Sequence, residues 1–150
     1  MITVYFDGLC QPINPGGIAC YAYLIKKNGM TVHSEYGLAT RPYSKDATNN
    51  VAEYTGLIKA LEWLSTNKLD QPVRIISDSA LVVRQLRGEY KVKSRRIVPL
   101  YRRAALLKDS FKDVKISWVP REQNSEADAL TNKAYQEALE NIRYQRKRAE

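Results

Sequence analysis

The chain has 150 residues, of which 44% are hydrophobic and 27% charged, with a formal net charge of +8 at pH 7. That balance suits a soluble globular protein with its own core, and no run of about 18 apolar residues offers a membrane span. The opening "MITVYFDG" lacks the basic-then-apolar order of a secretory signal, so the cytoplasm is the expected compartment. Cys10 and Cys20, with no Cys or His cluster around them, argue against a disulfide scaffold or a zinc site.

Residues 2–7 form a short apolar strand ending at Asp7. "CQPINPGG" follows, rich in proline and glycine, and is expected to be a loop. Residues 18–27 and 30–39 read as strands joined at Asn28-Gly29, a strong hairpin signal. From about Asn50 to Thr66, Tyr54, Leu57, Ile58, Leu61 and Leu64 share one helical face. A buried strand at 73–77 stops just before Asp78, and a short helix over 79–87 turns Leu81, Val82 and Leu86 inward. A basic connector leads to a helix over 96–110, with Pro99 in its first turn. The fifth strand covers 114–119. The last helix carries Ala127, Leu130, Ala134, Ala138 and Ile142 on one side, and residues 143–150 form a frayed basic tail. The pattern fits one domain over 1–150.

Charge is concentrated. Residues 84–121 hold twelve Lys/Arg and three Asp/Glu, which leaves the remainder close to neutral. A basic segment of this kind fits either a polyanion partner or a solvated helix face.

Three strands joined by short turns are antiparallel, whereas strands joined through helices are parallel. A right-handed crossover lays 73–77 beside 2–7 and brings their carboxyl ends together, where open α/β sheets hold ligands. Asp7 and Asp78 then become neighbours. Two close carboxylates repel, and a divalent cation such as Mg²⁺ relieves the repulsion. Glu53 and Asp128, each in the first turn of a helix, complete a set of four. Singly, each acid could be a cap, a turn residue or a dipole partner. Four at element ends that can converge are harder to dismiss.

"FDGLCQPINPGG", "TNNVAEYTGL", "SDSALVV" and "NSEADALTNKA" together resemble the successive motifs of type 1 ribonuclease H, most closely its compact archaeal form. The resemblance spans Asp7 to about Ala134. It implies an α/β fold with a mixed five-stranded sheet in the order 3-2-1-4-5, flanked by helices. It makes Asp7, Glu53, Asp78 and Asp128 catalytic and metal-binding acids for two Mg²⁺ ions, with Mn²⁺ as an alternative. The implied activity is two-metal hydrolysis of the RNA strand of RNA–DNA hybrids, leaving 5′-phosphate and 3′-hydroxyl ends. Asn14, Gly16, Asn49 and Asn50 would line the hybrid groove, where the 2′-hydroxyl tells RNA from DNA. Lys91, Lys93, Arg95 and Arg96 would grip phosphates of the DNA strand. Arg121 and Asn124, in the loop before the last acid, complete the substrate set. The chain is expected to act as a monomer.

Three features depart from the family pattern. "PREQNSEAD" carries no histidine, leaving Arg121 or Glu122 for part of its role, and the one histidine, His33, falls in the third strand as a surface residue. Ala80 stands where an amide is usual. Only "RGEYKVKSRR" stands where many members insert a basic helical handle. These departures leave room for looser substrate choice, including double-stranded RNA. The competing readings are a hybrid-binding module without catalysis and a nuclease core related to transposases and reverse transcriptases.

Overall fold

The computed structural model describes residues 1–67 and 71–149. Strands β1 (Ile2–Gln11), β2 (Ile18–Lys27) and β3 (Met30–Leu38) form an antiparallel meander. Helix α1 (Asn49–Thr66) crosses to β4 (Val73–Ser77), followed by α2 (Ala80–Leu86), α3 (Val98–Asp109), β5 (Val114–Trp118) and α4 (Ser125–Ala149). A single 3₁₀ turn, Arg121–Asn124, precedes α4. The sheet order is β3-β2-β1-β4-β5, with β4 parallel to β1 and β5 parallel to β4.

Alternation along the strands sorts two apolar layers. Ile2, Val4 and Phe6 of β1 join Tyr21, Tyr23 and Ile25 of β2 in the main core under α1, which contributes Tyr54, Leu57 and Leu61. Leu9, Ile18 and Cys20 meet Ala134 and Ala138 of α4 in a smaller cluster. Gly8 lets the first of these layers close. A Cβ on Gly8 would stand 2.4 Å from the backbone nitrogen of Glu53, so only glycine admits α1 this near to β1.

Several boundaries differ from the sequence reading. β1 does not end at Asp7 but runs on to Gln11, because antiparallel pairing with β2 continues through Gln11↔Ile18. The loop therefore begins later than "CQPINPGG" suggests. What does end near Asp7 is the parallel ladder, whose last pair is Tyr5↔Ile76. Thr48 caps α1 and Ser79 caps α2, each side chain accepting a backbone N–H, so Asp78 is not the cap of α2. Leu81 points outward and is 41% exposed, while Val82, Val83 and Leu86 face the core. The basic tail is helical through Ala149, with residues 143–149 exposed, and Glu150 lies outside the described residues. His33 is no free surface residue. It stacks on Trp63 at 4.5 Å between ring centroids, and its Nε2 lies 3.1 Å from the Tyr23 hydroxyl.

Candidate active site

Asp7 and Asp78 each lie two residues beyond the last parallel pair, Tyr5↔Ile76. The twin strands thus deliver both carboxylates to one end of the sheet. Glu53, on the second turn of α1, reaches the same point because Gly8 lets the helix approach. One carboxylate oxygen from each of Asp7, Glu53 and Asp78 lies within 4.8 Å of the others. Asp128, near the start of α4, lines the same cleft but stands outside that inner trio. The cleft is open, about 630 Å³ in volume, and is also lined by Gly8, Leu9, Cys10, Gln11, Asn49, Ser79, Arg121 and Asn132.

Asp7 is 6% exposed and Glu53 only 3%. Burial, then the negative charge of Asp78, pushes the Asp7 carboxyl from an ordinary 3.8 up to about 7. The Gly8 N–H, which donates to Asp7 Oδ1 at 2.9 Å, opposes that rise. Glu53 is raised well above the ordinary carboxylate range, first by burial and then by Asp7 and Asp78. Asp78 is raised by burial, against the side-chain bond from Asn124 and the charge of Arg121. The second oxygen of Glu53, Oε2, is buried and has no hydrogen-bond partner among the described residues. Such an orphan is costly unless a ligand completes it. An all-oxygen, all-carboxylate donor set suits a hard divalent cation, so the residues present fit a Mg²⁺-type site.

The acids are braced from behind. Asn124 Nδ2 donates to the Phe6 carbonyl at 2.8 Å and to Asp78 Oδ2 at 3.2 Å, which ties the turn before α4 to both strands. The Trp118 indole N–H donates to the Asp78 carbonyl at 3.0 Å. Ser77 Oγ accepts from Ser79 N at 3.0 Å, shaping the turn that carries Asp78.

Known proteins resemble this chain in sequence and fold. A family model described as reverse transcriptase-like matches residues 24–134. The N-terminal ribonuclease H domain of Rv2228c from Mycobacterium tuberculosis, solved as a fusion with maltose-binding protein, superposes with a TM-score of 0.83 at 31% identity, covering 94% of this chain and 97% of that one. LC11 ribonuclease H1, isolated from compost and solved with an RNA/DNA hybrid, gives a TM-score of 0.82 at 36% identity over 93% of this chain and 99% of its own. This chain belongs to the ribonuclease H family. Ribonuclease HI of Halobacterium salinarum is 36% identical over 91% of this chain and 65% of its own length. The bifunctional protein Rv2228c is 42% identical over 63% of this chain, which spans 26% of that relative's length.

Of the other residues that the ribonuclease H resemblance singled out, Asn49 and Arg121 line the cleft. Asn14 Oδ1 accepts from Asn49 N at 3.2 Å, which pins the first loop to the start of α1. Gly16 sits in the same loop at φ +94°, and its N–H donates to the Ala47 carbonyl at 2.9 Å. Asn49 lines the cleft, and Asn50 is half-buried beside it without lining it. Lys91, Lys93 and Arg95 are exposed on the connector before α3. Arg96 is held at Asp46 by a 3.2 Å ion pair, which competes with any phosphate. Arg121 lines the cleft, whereas Glu122 is exposed and does not. Asn124 is 1% exposed and is not among the cleft-lining residues, so the structure gives it the place of a brace on Asp78. Sequence reasoning passed over Gln11, Ser79 and Asn132. Asn132 was findable, since it stands one helical turn after Asp128 and donates to the Asp128 carbonyl at 2.9 Å.

Proposed function

We propose that the protein is a divalent-metal-dependent endoribonuclease that hydrolyses the RNA strand of RNA–DNA hybrids, leaving 5′-phosphate and 3′-hydroxyl ends. The observation that carries this reading is the convergence of Asp7, Glu53 and Asp78 within 4.8 Å, with a buried Glu53 oxygen left unpartnered. Membership of the ribonuclease H family supports it, and the hybrid in the LC11 complex supplies a substrate precedent. Asp7, Glu53, Asp78 and Asp128 are the residues that would hold two ions, Mg²⁺ by preference and Mn²⁺ as a substitute. Such ions, when bound, neutralise charge on the scissile phosphate and acidify water for attack.

The protein's own contribution is preorganisation. Asn124 and Trp118 fix the side chain and backbone of Asp78, and the Gly8 N–H fixes one oxygen of Asp7. These bonds hold the acids together against their mutual repulsion before substrate arrives. Arg121 is the cation among the described cleft-lining residues, and it can meet a phosphate of the cleaved strand. Asn14, Asn49 and Gln11 offer neutral donors and acceptors where a 2′-hydroxyl needs both. Lys91, Lys93 and Arg95 add salt-sensitive attraction for the partner strand. Double-stranded RNA is a second substrate in this reading.

The reading treats the 150 residues as one ribonuclease H domain acting as a cytoplasmic monomer. Among the described residues no helix is long and apolar enough to cross a membrane. The test uses end-labelled RNA–DNA hybrid, double-stranded RNA and double-stranded DNA, each with Mg²⁺, Mn²⁺ or a chelator. Metal-dependent cuts confined to RNA strands, abolished in Asp78→Asn, are expected. Hybrid binding with no cleavage in either metal refutes the enzyme, and cleavage of DNA alone moves it to the transposase-like class.

A further inference from the structure

Helix α4 outruns the core it packs on. Its buried side chains Ala127, Thr131, Ala134 and Ala138 recur at helical spacing, and Ile142 is the last residue of the helix to join the smaller apolar cluster. The next positions on that stripe are Gln145 and Ala149, and every residue from Arg143 to Ala149 is exposed. The last two turns thus have no core to hold them.

Their charge is a second observation. Arg143, Arg146, Lys147 and Arg148 fall within a six-residue run that holds no acid. Arg143, Arg146 and Lys147 share one helical face, where like charges repel and weaken a helix. Among the described residues none of the four takes part in an ion pair, and Arg148 lies over the Tyr144 ring at 6.0 Å. Cations in a last turn complement the helix dipole, but that effect fades within the turn, and Arg143 stands before it.

The course of α4 says where this row of cations points. Near its start Glu126 pairs with Lys26, which stands opposite Thr3. Further on, Ala134 and Ala138 meet Leu9 and Ile18, close to the last β1–β2 pair, Gln11↔Ile18. The helix therefore runs toward the end of the sheet that carries the cleft-lining Leu9, Cys10 and Gln11, and its last turns continue in that direction. Arg143 and Lys147 lie roughly 16 and 22 Å along the helix from Asn132, a residue of α4 that lines the cleft. A duplex repeats its phosphates about every 3.4 Å along each strand, so one seated in the cleft offers phosphates at that distance about five to seven base pairs from the cut. An anionic membrane would call for an apolar face opposite the cations, and Tyr144 and Ala149 do not make one.

We propose that Arg143, Arg146 and Lys147 form a second nucleic-acid contact, outside the cleft, that grips the sugar-phosphate backbone of a long duplex. The proposal rests on the hybrid-cleaving reading of the cleft. The contact is blind to sequence, weakens steeply with salt and leaves the chemical step untouched.

The test measures Kd in an Asp78→Asn background on hybrids of about 8 and about 30 base pairs, of which the shorter, seated across the cut site, falls short of the row. The parent is compared with Arg143→Gln/Arg146→Gln/Lys147→Gln and with the charge-preserving Arg143→Lys/Arg146→Lys. Glutamine and lysine both sustain a helix. The glutamine variant is expected to bind the long hybrid about tenfold more weakly at about 0.1 M salt, and to flatten the slope of log Kd against log salt by about two to three, while the short hybrid stays within about twofold. The lysine variant should stay within about threefold on both lengths. With Asp78 intact, kcat on saturating long hybrid should match the parent, as should Tm. An unchanged Kd for long hybrid in the glutamine variant overturns the proposal. So does an equal loss on both lengths, or a matching loss in the lysine variant. Binding to phosphatidylserine vesicles that the glutamine variant loses, at unchanged hybrid Kd, gives the surface to a membrane instead. A parent that cuts hybrid of neither length defeats the underlying reading, and that outcome is visible before any variant is made.

Discussion

Replacing Asp7 by asparagine should make the metal-free protein more stable while removing its activity. In the native state Asp7 is pushed up to about 7, against an ordinary 3.8. The folded protein therefore binds the proton more tightly than the unfolded chain. The contribution of Asp7 to stability is most favourable below its unfolded pKa and is lost as pH rises toward the folded value. Above both values the penalty is roughly 4 kcal/mol. Asparagine keeps an oxygen to accept from the Gly8 N–H and carries no charge. In chelator at about pH 8 the variant should gain about 2–4 kcal/mol, or roughly 5–15 °C in Tm. At about pH 4 the gain should nearly vanish, because Asp7 is then protonated in the parent too. Thermal melts by circular dichroism across that range, with and without Mg²⁺, make the measurement. Millimolar Mg²⁺ should raise the parent's Tm and narrow the gap, because it binds only the folded site. A variant no more stable than the parent at high pH, or equally stabilised at both ends, would refute the picture of crowded, desolvated carboxylates.

Three further outcomes follow from the same geometry. Mg²⁺ must displace the proton that Asp7 retains, so its affinity should strengthen as pH rises toward about 7, by up to tenfold per unit, read by calorimetry on the protein without substrate. Asn124→Ala should lower kcat by about tenfold or more while leaving hybrid Kd unchanged, because Asp78 loses its brace. It should also lower stability by about 1–3 kcal/mol through the unpaired Phe6 carbonyl, seen in a denaturant titration. Gly8→Ala should destabilise by about 3 kcal/mol or more and abolish cleavage, since the new methyl meets backbone of α1 at Glu53, and Tm with an activity assay checks both.

Much of the architecture was legible because its signals are local and strong. The Asn28-Gly29 turn fixed the first hairpin, and the apolar face of Tyr54, Leu57, Leu61 and Leu64 fixed α1. The strand at 73–77 stood out as an apolar run bounded by Pro72 and Asp78. Elements whose ends depend on tertiary partners were less legible. β1 outlasts its apolar pattern because β2 keeps pairing with it to Gln11, a long-range fact that no local composition expresses. Leu81 was placed inward by its hydrophobicity alone, although α2 is too short for periodicity to decide its face. The inner three acids could be anticipated from strand ends, a helix start and the family motifs. The part played by Asn124 could not, because its partners Phe6 and Asp78 are distant in sequence and its burial is set by how the turn before α4 folds under the sheet.

The mismatch in length between β1 and β4 has one more consequence. Past Tyr5 the long strand keeps its neighbour on one flank and loses it on the other, so the sheet is notched rather than squarely trimmed. The walls of the notch are main chain. Substitutions among the buried side chains that preserve the ladders should leave its width untouched, whereas lengthening β4 by a single residue pair would begin to zip it shut. Amide exchange along β1 ought to register the change of flank: beyond Tyr5 the alternate N–H groups that face the lost neighbour should exchange faster than those still paired with β2, and a bound duplex should slow them.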